Sequence, residues 1–176
     1  MATHLPVNHK YRGVYRALAG ATGLYLVGFG VAGVAASRGQ PFFEQGDTQV
    51  WGLHTNMAFA VLSIVVGAVI LVGAAIGHNI DRFINMIGAM VFITAGLIML
   101  PLSRSSIDFL NYDVTAAVVS FVIGTILLLS GLYGRVGPAE QRTREESFRH
   151  NIHPDPVPHI WQKLPPKKPK TNRRFA

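Results

Sequence analysis

The polar residues best placed to do chemistry form one short cluster, His54-Thr55-Asn56, at the start of a long apolar run. A histidine beside an amide can pass a proton or contact a quinol, so His54 and Asn56 define a candidate polar site. The alternative is a hydrated cap at a helix end, which is the commoner use of such residues. The cluster by itself leaves both interpretations open.

Other reactive groups are scarce. The chain has no cysteine, which excludes disulfides, thiolate metal sites, iron–sulfur ligation and covalent c-type haem. His78 lies at the opposite end of the apolar run from His54, so no histidine pair at matching depth predicts a b-type haem. The histidines of the C-terminal segment follow no strong metal-binding spacing: His150, His153 and His159. We therefore expect no enzyme activity, no catalytic residue, no metal and no cofactor.

The cluster opens a segment built to cross a membrane. Between Asp47 and Asp81 no residue carries a charged side chain, with histidine counted as neutral. As a helix, residues 57–77 would cover about 31 Å, the thickness of a bilayer's hydrocarbon region. Lipid offers no partner to backbone groups, so a spanning segment of this kind must be helical. The pattern predicts a helix over 51–77.

Three further charge-free runs predict similar helices over 17–37, 83–102 and 114–133. The predicted class is therefore an all-α integral membrane protein with three parts. These are a basic N-terminus (1–16), a four-helix transmembrane domain (17–134) and a basic, proline-rich, extended tail (135–176).

The distribution of basic residues predicts an orientation. One set of Lys and Arg residues lies near the membrane on one side: Lys10, Arg12, Arg16, Arg82, Arg135, Arg142, Arg144 and Arg149. Only Arg38 and Arg104 lie on the other side. The positive-inside rule then places both termini on the cytoplasmic side of the membrane.

The helices also repeat. Ser63, Gly67 and Gly77 of the second helix recur in the same register in the fourth, as Ser120, Gly124 and Gly134. Arg16 and Gly30 of the first helix recur in the same way in the third, as Arg82 and Gly96. These matches predict two copies of one helical hairpin in parallel orientation. Chance similarity between apolar runs is the alternative.

Small residues should hold the helices together, because close packing replaces the hydrophobic effect inside lipid. The positions predicted to serve such contacts, within the bundle or on a larger partner, are Gly67, Gly73, Gly77, Ser120 and Gly124. Asn85 is expected to hydrogen-bond between helices. A second hypothesis makes the chain a channel or carrier for a small neutral or lipophilic molecule, lined by Tyr25, Ser63, Asn85 and Thr94.

The tail differs in chemistry from the helices. It carries ten Lys or Arg residues against four acids, together with the apolar side chains of Phe148, Ile160 and Trp161. It can lie along anionic lipid headgroups, to which each basic residue contributes about 1 kcal/mol. Alternatively, the three apolar residues dock the tail onto a protein partner.

Two motifs carry a resemblance. The sequence Leu53-His54-Thr55-Asn56, followed by Val66-Gly67-Ala68-Val69, resembles a family of small actinobacterial four-helix membrane proteins of unknown function. The resemblance implies a bacterial plasma membrane and no known catalytic residues. In architecture the chain is also similar to the accessory subunits of the actinobacterial cytochrome bcc–cytochrome oxidase supercomplex. That likeness implies a non-catalytic subunit that docks on a larger complex, not on nucleic acid.

Overall fold

The computed structural model describes residues 8–102, 108 and 110–137 of the chain. They form four helices: α1 (Arg12–Ala36), α2 (Met57–Ile76), α3 (His78–Leu102) and α4 (Val114–Tyr133). Two short antiparallel strands, β1 (Gln49–Val50) and β2 (Leu53–His54), precede α2. Each helix is long and apolar enough to cross a bilayer, which confirms four helices as the candidate spans of a multi-pass membrane protein.

The helices form a ring in chain order. α1 packs most broadly on α2, α3 packs most broadly on α4, and the two hairpins meet through α1 with α4 and α2 with α3. One buried apolar cluster contains Leu26, Ile70 and Leu127. A second cluster, around Phe29 and Tyr112, joins the bundle to β1 and β2.

The bundle has two ends, the loop end and the terminal end. At the loop end, residues 38–56 and 110–113 cover the helices. At the terminal end, the two extremities of the described chain meet, because the Asn8 side-chain amide donates to the Gly137 carbonyl at 2.7 Å. Both extremities therefore lie on the same side of the bundle.

Side-chain caps begin two of the helices at the loop end. The Asn56 side chain accepts a hydrogen bond from the Phe59 amide at 2.8 Å and starts α2. The Asp113 carboxylate accepts from the Ala116 amide at 2.7 Å and starts α4. Each cap satisfies one backbone N–H that the first helical turn leaves without a partner. The observed bounds of α4 are the predicted ones.

The predicted start of the second helix was wrong. Residues 51–56 are not helical, because β1 and β2 form a hairpin with Trp51 and Gly52 as its two-residue turn. Both turn residues have positive φ, 52° and 80°, which matches the right-handed twist of a tight hairpin. The helix therefore begins only at Met57, after the Asn56 cap.

The starts of α1 and α3 also differ from the prediction, because each helix begins more than one turn before its charge-free run. A helix that leaves the hydrocarbon can continue through charged residues that are stabilised by water or by neighbouring helices. Gly77, at φ +72°, ends α2, and α3 follows at His78. Asp81 and Arg82 consequently lie in the first turns of α3, not in a loop.

The two hairpins use equivalent contacts. Arg16 at the start of α1 donates through Nε to the Ala74 carbonyl near the end of α2, at 2.5 Å. Arg82, the counterpart of Arg16 in the second hairpin, donates through Nε to the Gly131 carbonyl at 3.2 Å. Gly131 is in turn the counterpart of Ala74, in the register that relates α4 to α2. The two capping residues, Asn56 and Asp113, correspond in that same register.

Candidate functional site

The predicted polar site lies in the hairpin at the loop end. His54 is partly exposed, and its Nδ1 lies 3.8 Å from an oxygen of Asp113, the residue that caps α4. Its Nε2 contacts the Gln49 side-chain amide across the hairpin. Protonation of His54 would place a cation beside this carboxylate. The geometry therefore allows an ion pair that ties the hairpin to the start of α4.

Asn56, the second predicted member of this site, is fully buried. Besides capping α2, its Nδ2 donates to the Glu44 carbonyl at 3.2 Å. Asn111 donates to the Gly46 carbonyl at 2.7 Å and reaches the Thr55 carbonyl at 3.3 Å. These bonds satisfy the loop backbone and leave His54 as the accessible polar side chain of the predicted pair.

Tyr112 links this end to the core. Its hydroxyl donates to Ser120 Oγ at 2.6 Å, and the residue is 5% exposed. Burial raises the pKa of the Tyr112 phenol, the Ser120 hydrogen bond lowers it, and the nearby Asp113 charge raises it further. The neutral phenol is thus the stable form of this buried side chain.

The predicted packing residues contact other helices of the same chain. A Cβ at Gly67 would lie 2.7 Å from a backbone oxygen of α1. At Gly73 and Gly124 a Cβ would lie 2.7 Å from side chains of α3. At Gly77 a Cβ would lie 2.6 Å from the Arg16 guanidinium. Neighbouring helices occupy these positions, so a partner would contact other surfaces of the bundle.

The four side chains predicted to line a channel do not face one common cavity. Thr94 is exposed, whereas Asn85 is buried on the opposite face of α3. Thr94 therefore does not share an interior surface with Asn85, as the channel hypothesis requires. Ser63 donates to the Phe59 carbonyl of its own helix at 2.8 Å. Tyr25 packs its ring against Phe29 and Trp51.

A second polar site lies at the terminal end and was predicted only in part. Asn85 was expected to hydrogen-bond to another helix, which was wrong, because its partner Asp81 belongs to the same helix, α3. Asp81 is 4% exposed and Asn85 is 0% exposed, and the Asn85 amide Nδ2 donates to Asp81 Oδ1 at 2.8 Å. Asn85 Oδ1 is buried and has no hydrogen-bond partner among the described residues. The sequence signal was the regular helical spacing of Asp81, Asn85 and Ala89, which share one face of a helix that starts at His78.

The predicted tail contacts, Phe148, Ile160 and Trp161, lie outside the described residues. Within residues 8–102, 108 and 110–137, no group of three acidic or histidine side chains could hold a metal ion.

The four spans and the polar groups at their two ends define a multi-pass α-helical membrane protein. Residues 16–134, more than half of the chain, match the family described as Domain of unknown function (DUF4383). The chain belongs to this family. No curated protein and no solved structure matches it.

Proposed function

We propose that this chain is a non-catalytic accessory subunit that packs against a larger complex in a bacterial plasma membrane. The supporting observation is the outer face of α3, the least buried of the four helices. Phe83, Met90 and Leu97 are 67%, 71% and 61% exposed and recur at a heptad spacing. Large apolar side chains at this spacing form the seam by which helices pack side by side.

The internal packing supports the same proposal. The small residues that let helices approach closely are used between the four helices of this chain. The bundle is therefore self-contained. We propose that it docks as a preformed unit, through the larger side chains on its exterior.

The bundle itself is proposed to derive from a duplicated helical hairpin. The support comes from the matched contacts of Arg16 with Arg82 and the matched caps Asn56 and Asp113. Gly67 and Gly124 add a third match, since each faces the backbone oxygen of an equivalent residue in its own hairpin, Gly23 or Ala89.

The terminal end is proposed to face the cytoplasm, where the basic tail would carry Phe148, Ile160 and Trp161 to the same partner. The concentration of Lys and Arg in the segments that leave this end supports the orientation. The tail would also contact anionic headgroups. Among candidate partners, the cytochrome bcc–cytochrome oxidase supercomplex is the first to test, given the architectural likeness noted in the sequence.

Site-specific photo-crosslinking in native membranes tests the docking face. A photoreactive amino acid at Met90 of α3 should yield a crosslink to one defined membrane protein. The matched control is Val122, which is 54% exposed on α4 and should react mainly with lipid. Crosslinks from Met90 to lipid alone would contradict docking through α3.

A further inference from the structure

The two hairpins differ at the terminal end of the core. In the register that matches Arg16 with Arg82, the residues of α1 that correspond to Asp81 and Asn85 of α3 are Tyr15 and Ala19. The second hairpin therefore buries an acid and an amide where the first has an aromatic ring and a methyl group. The contacts that the hairpins share hold the fold, so this costly difference is not required by the architecture.

The bonding of the pair is incomplete. Asp81 accepts one side-chain hydrogen bond, from Asn85 Nδ2, and forms no ion pair shorter than 4 Å among the described residues. The Asn85 Oδ1, on a residue that is 0% exposed, accepts none from them. A buried acceptor left without a donor destabilises the folded state.

The groups that the surrounding helices offer explain why the Asn85 amide oxygen has no hydrogen-bond donor in the described part of the chain. Helix interiors offer carbonyl oxygens with a spare lone pair but no spare backbone N–H. An ionised Asp81 accepts from the N–H of Asn85, and the amide oxygen is then left without a donor among the described residues. A proton on Asp81 would let the amide turn. Its oxygen would then accept from the carboxylic acid, while its N–H groups would donate to helical carbonyls.

The small number of oxygen ligands near Asp81 favours a proton over a metal cation. α1 contributes the Arg16 and Arg12 guanidinium groups, which interact electrostatically with the carboxylate. α2 carries no titratable side chain, and α4 carries only Tyr133, whose ring stacks on Tyr15. The guanidinium charges oppose any added cation, a proton included. A sodium or potassium ion would in addition need several more oxygen ligands, whereas a proton needs one carboxylate oxygen.

We propose that Asp81 and Asn85 form a proton-binding site that opens to the aqueous phase at the terminal end. The proton passes from a hydronium ion of the aqueous phase to a carboxylate oxygen of Asp81: one O–H bond of hydronium breaks, the O–H bond of the carboxylic acid forms, and a water molecule is released. The Asn85 amide reorients in the same step. This site is independent of whether the bundle docks on a partner.

Nuclear magnetic resonance on the full chain in lipid nanodiscs tests the site. With aspartate and asparagine isotopically labelled, the Asp81 carboxyl signal and the Asn85 side-chain amide signal should shift together with one pH midpoint. Asp81→Asn should abolish the shift of the Asn85 amide. Asp113→Asn is the matched control and should preserve that shift, since an asparagine at the equivalent position 56 also caps its helix.

Three results would overturn the proposal. The first is an Asn85 amide that stays unchanged while Asp81 titrates, which the unsubstituted protein alone can reveal if Asp81→Asn does not fold. The second is a pH-dependent shift of Asn85 that persists in Asp81→Asn. The third is movement of both signals when sodium chloride replaces choline chloride at fixed pH, which would identify a metal cation site instead.

Discussion

Tyr112 connects the loop end to the interior of the bundle through one short hydrogen bond, from its hydroxyl to Ser120 Oγ at 2.6 Å. Tyr112→Phe should lower the free energy of unfolding by about 0.5–1.5 kcal/mol, the usual net value of a buried neutral hydrogen bond. The measurement is denaturation in detergent, with Ser120→Ala and the double variant completing a thermodynamic cycle. Additive losses from the two single substitutions would show that the bond contributes no coupling energy.

The same residue predicts a pH dependence. Burial raises the pKa of Tyr112 in the folded state, so its contribution to stability is fully present below the ordinary tyrosine pKa of about 10. That contribution is lost as the pH rises through the raised pKa. Tyr112→Phe should therefore flatten the alkaline limb of a plot of melting temperature against pH. Tyr11→Phe, at a ring that is 54% exposed, should leave the limb unchanged.

Neighbouring helices approach each other closely at glycines, and the effect of a substitution depends on what the glycine faces. Gly67→Ala would place a methyl group 2.7 Å from the Gly23 carbonyl oxygen, a backbone atom that cannot move without shifting α1. We expect a loss of about 1–3 kcal/mol, the usual cost of overpacking. Gly13→Ala, in the first turn of α1 with open space around it, should instead gain about 0.5–1 kcal/mol. Equal effects of the two substitutions on the melting temperature would refute this packing.

The hydrogen bonds from arginine side chains to carbonyls at the helix ends lead to a second prediction about helix packing. Arg16 donates to two carbonyls of α2, those of Ala74 and Ala75, whereas Arg82 donates to Gly131 of α4. Arg16→Ala and Arg82→Ala should each destabilise the bundle by about 1–3 kcal/mol, because charged donors form the stronger hydrogen bonds. Arg38→Ala, at an exposed loop position, is the control and should have little effect on sodium dodecyl sulfate unfolding. A stable Arg82→Ala would show that the two contacts are not equivalent.

The accuracy of each predicted helix boundary depends on which residues mark that boundary in the sequence. α4 was predicted residue for residue, since a capping aspartate and a charge-free run mark the same bounds. The starts of α1 and α3 were placed too late, because absence of charge marks the hydrocarbon region and not the helix that continues beyond it. The Trp51–Gly52 hairpin was missed, because two-residue strands are too short to show a periodicity.

The two polar sites differ in how clearly the sequence marks them. His54 and Asn56 were identified because polar residues stand out at the start of an apolar run, although their roles as loop contact and helix cap required the three-dimensional arrangement. Asp81 lies between the predicted helices 51–77 and 83–102, so its pairing with Asn85 became apparent only when α3 was seen to start at His78. The incomplete bonding of Asn85 depends on neighbouring helices, which no local pattern specifies.

In the molecule as a whole, the interior and exterior surfaces of the helices carry different kinds of residue. The interior is held by glycine contacts, helix caps and arginine contacts within the chain, and the exterior of α3 keeps a row of large apolar side chains. The described ends of the chain lie on one side of the bundle. The accessory role proposed above would use this row of side chains for docking.

The most direct test is purification of the full chain, tagged at its N-terminus, from native membranes in mild detergent. We expect a larger membrane complex that contains this chain at a fixed stoichiometry by mass spectrometry, and loss of that complex when Phe83, Met90 and Leu97 are all changed to alanine. Recovery of the chain alone, or only as an oligomer of itself, under conditions that preserve the known complexes of the same membrane would contradict an accessory role.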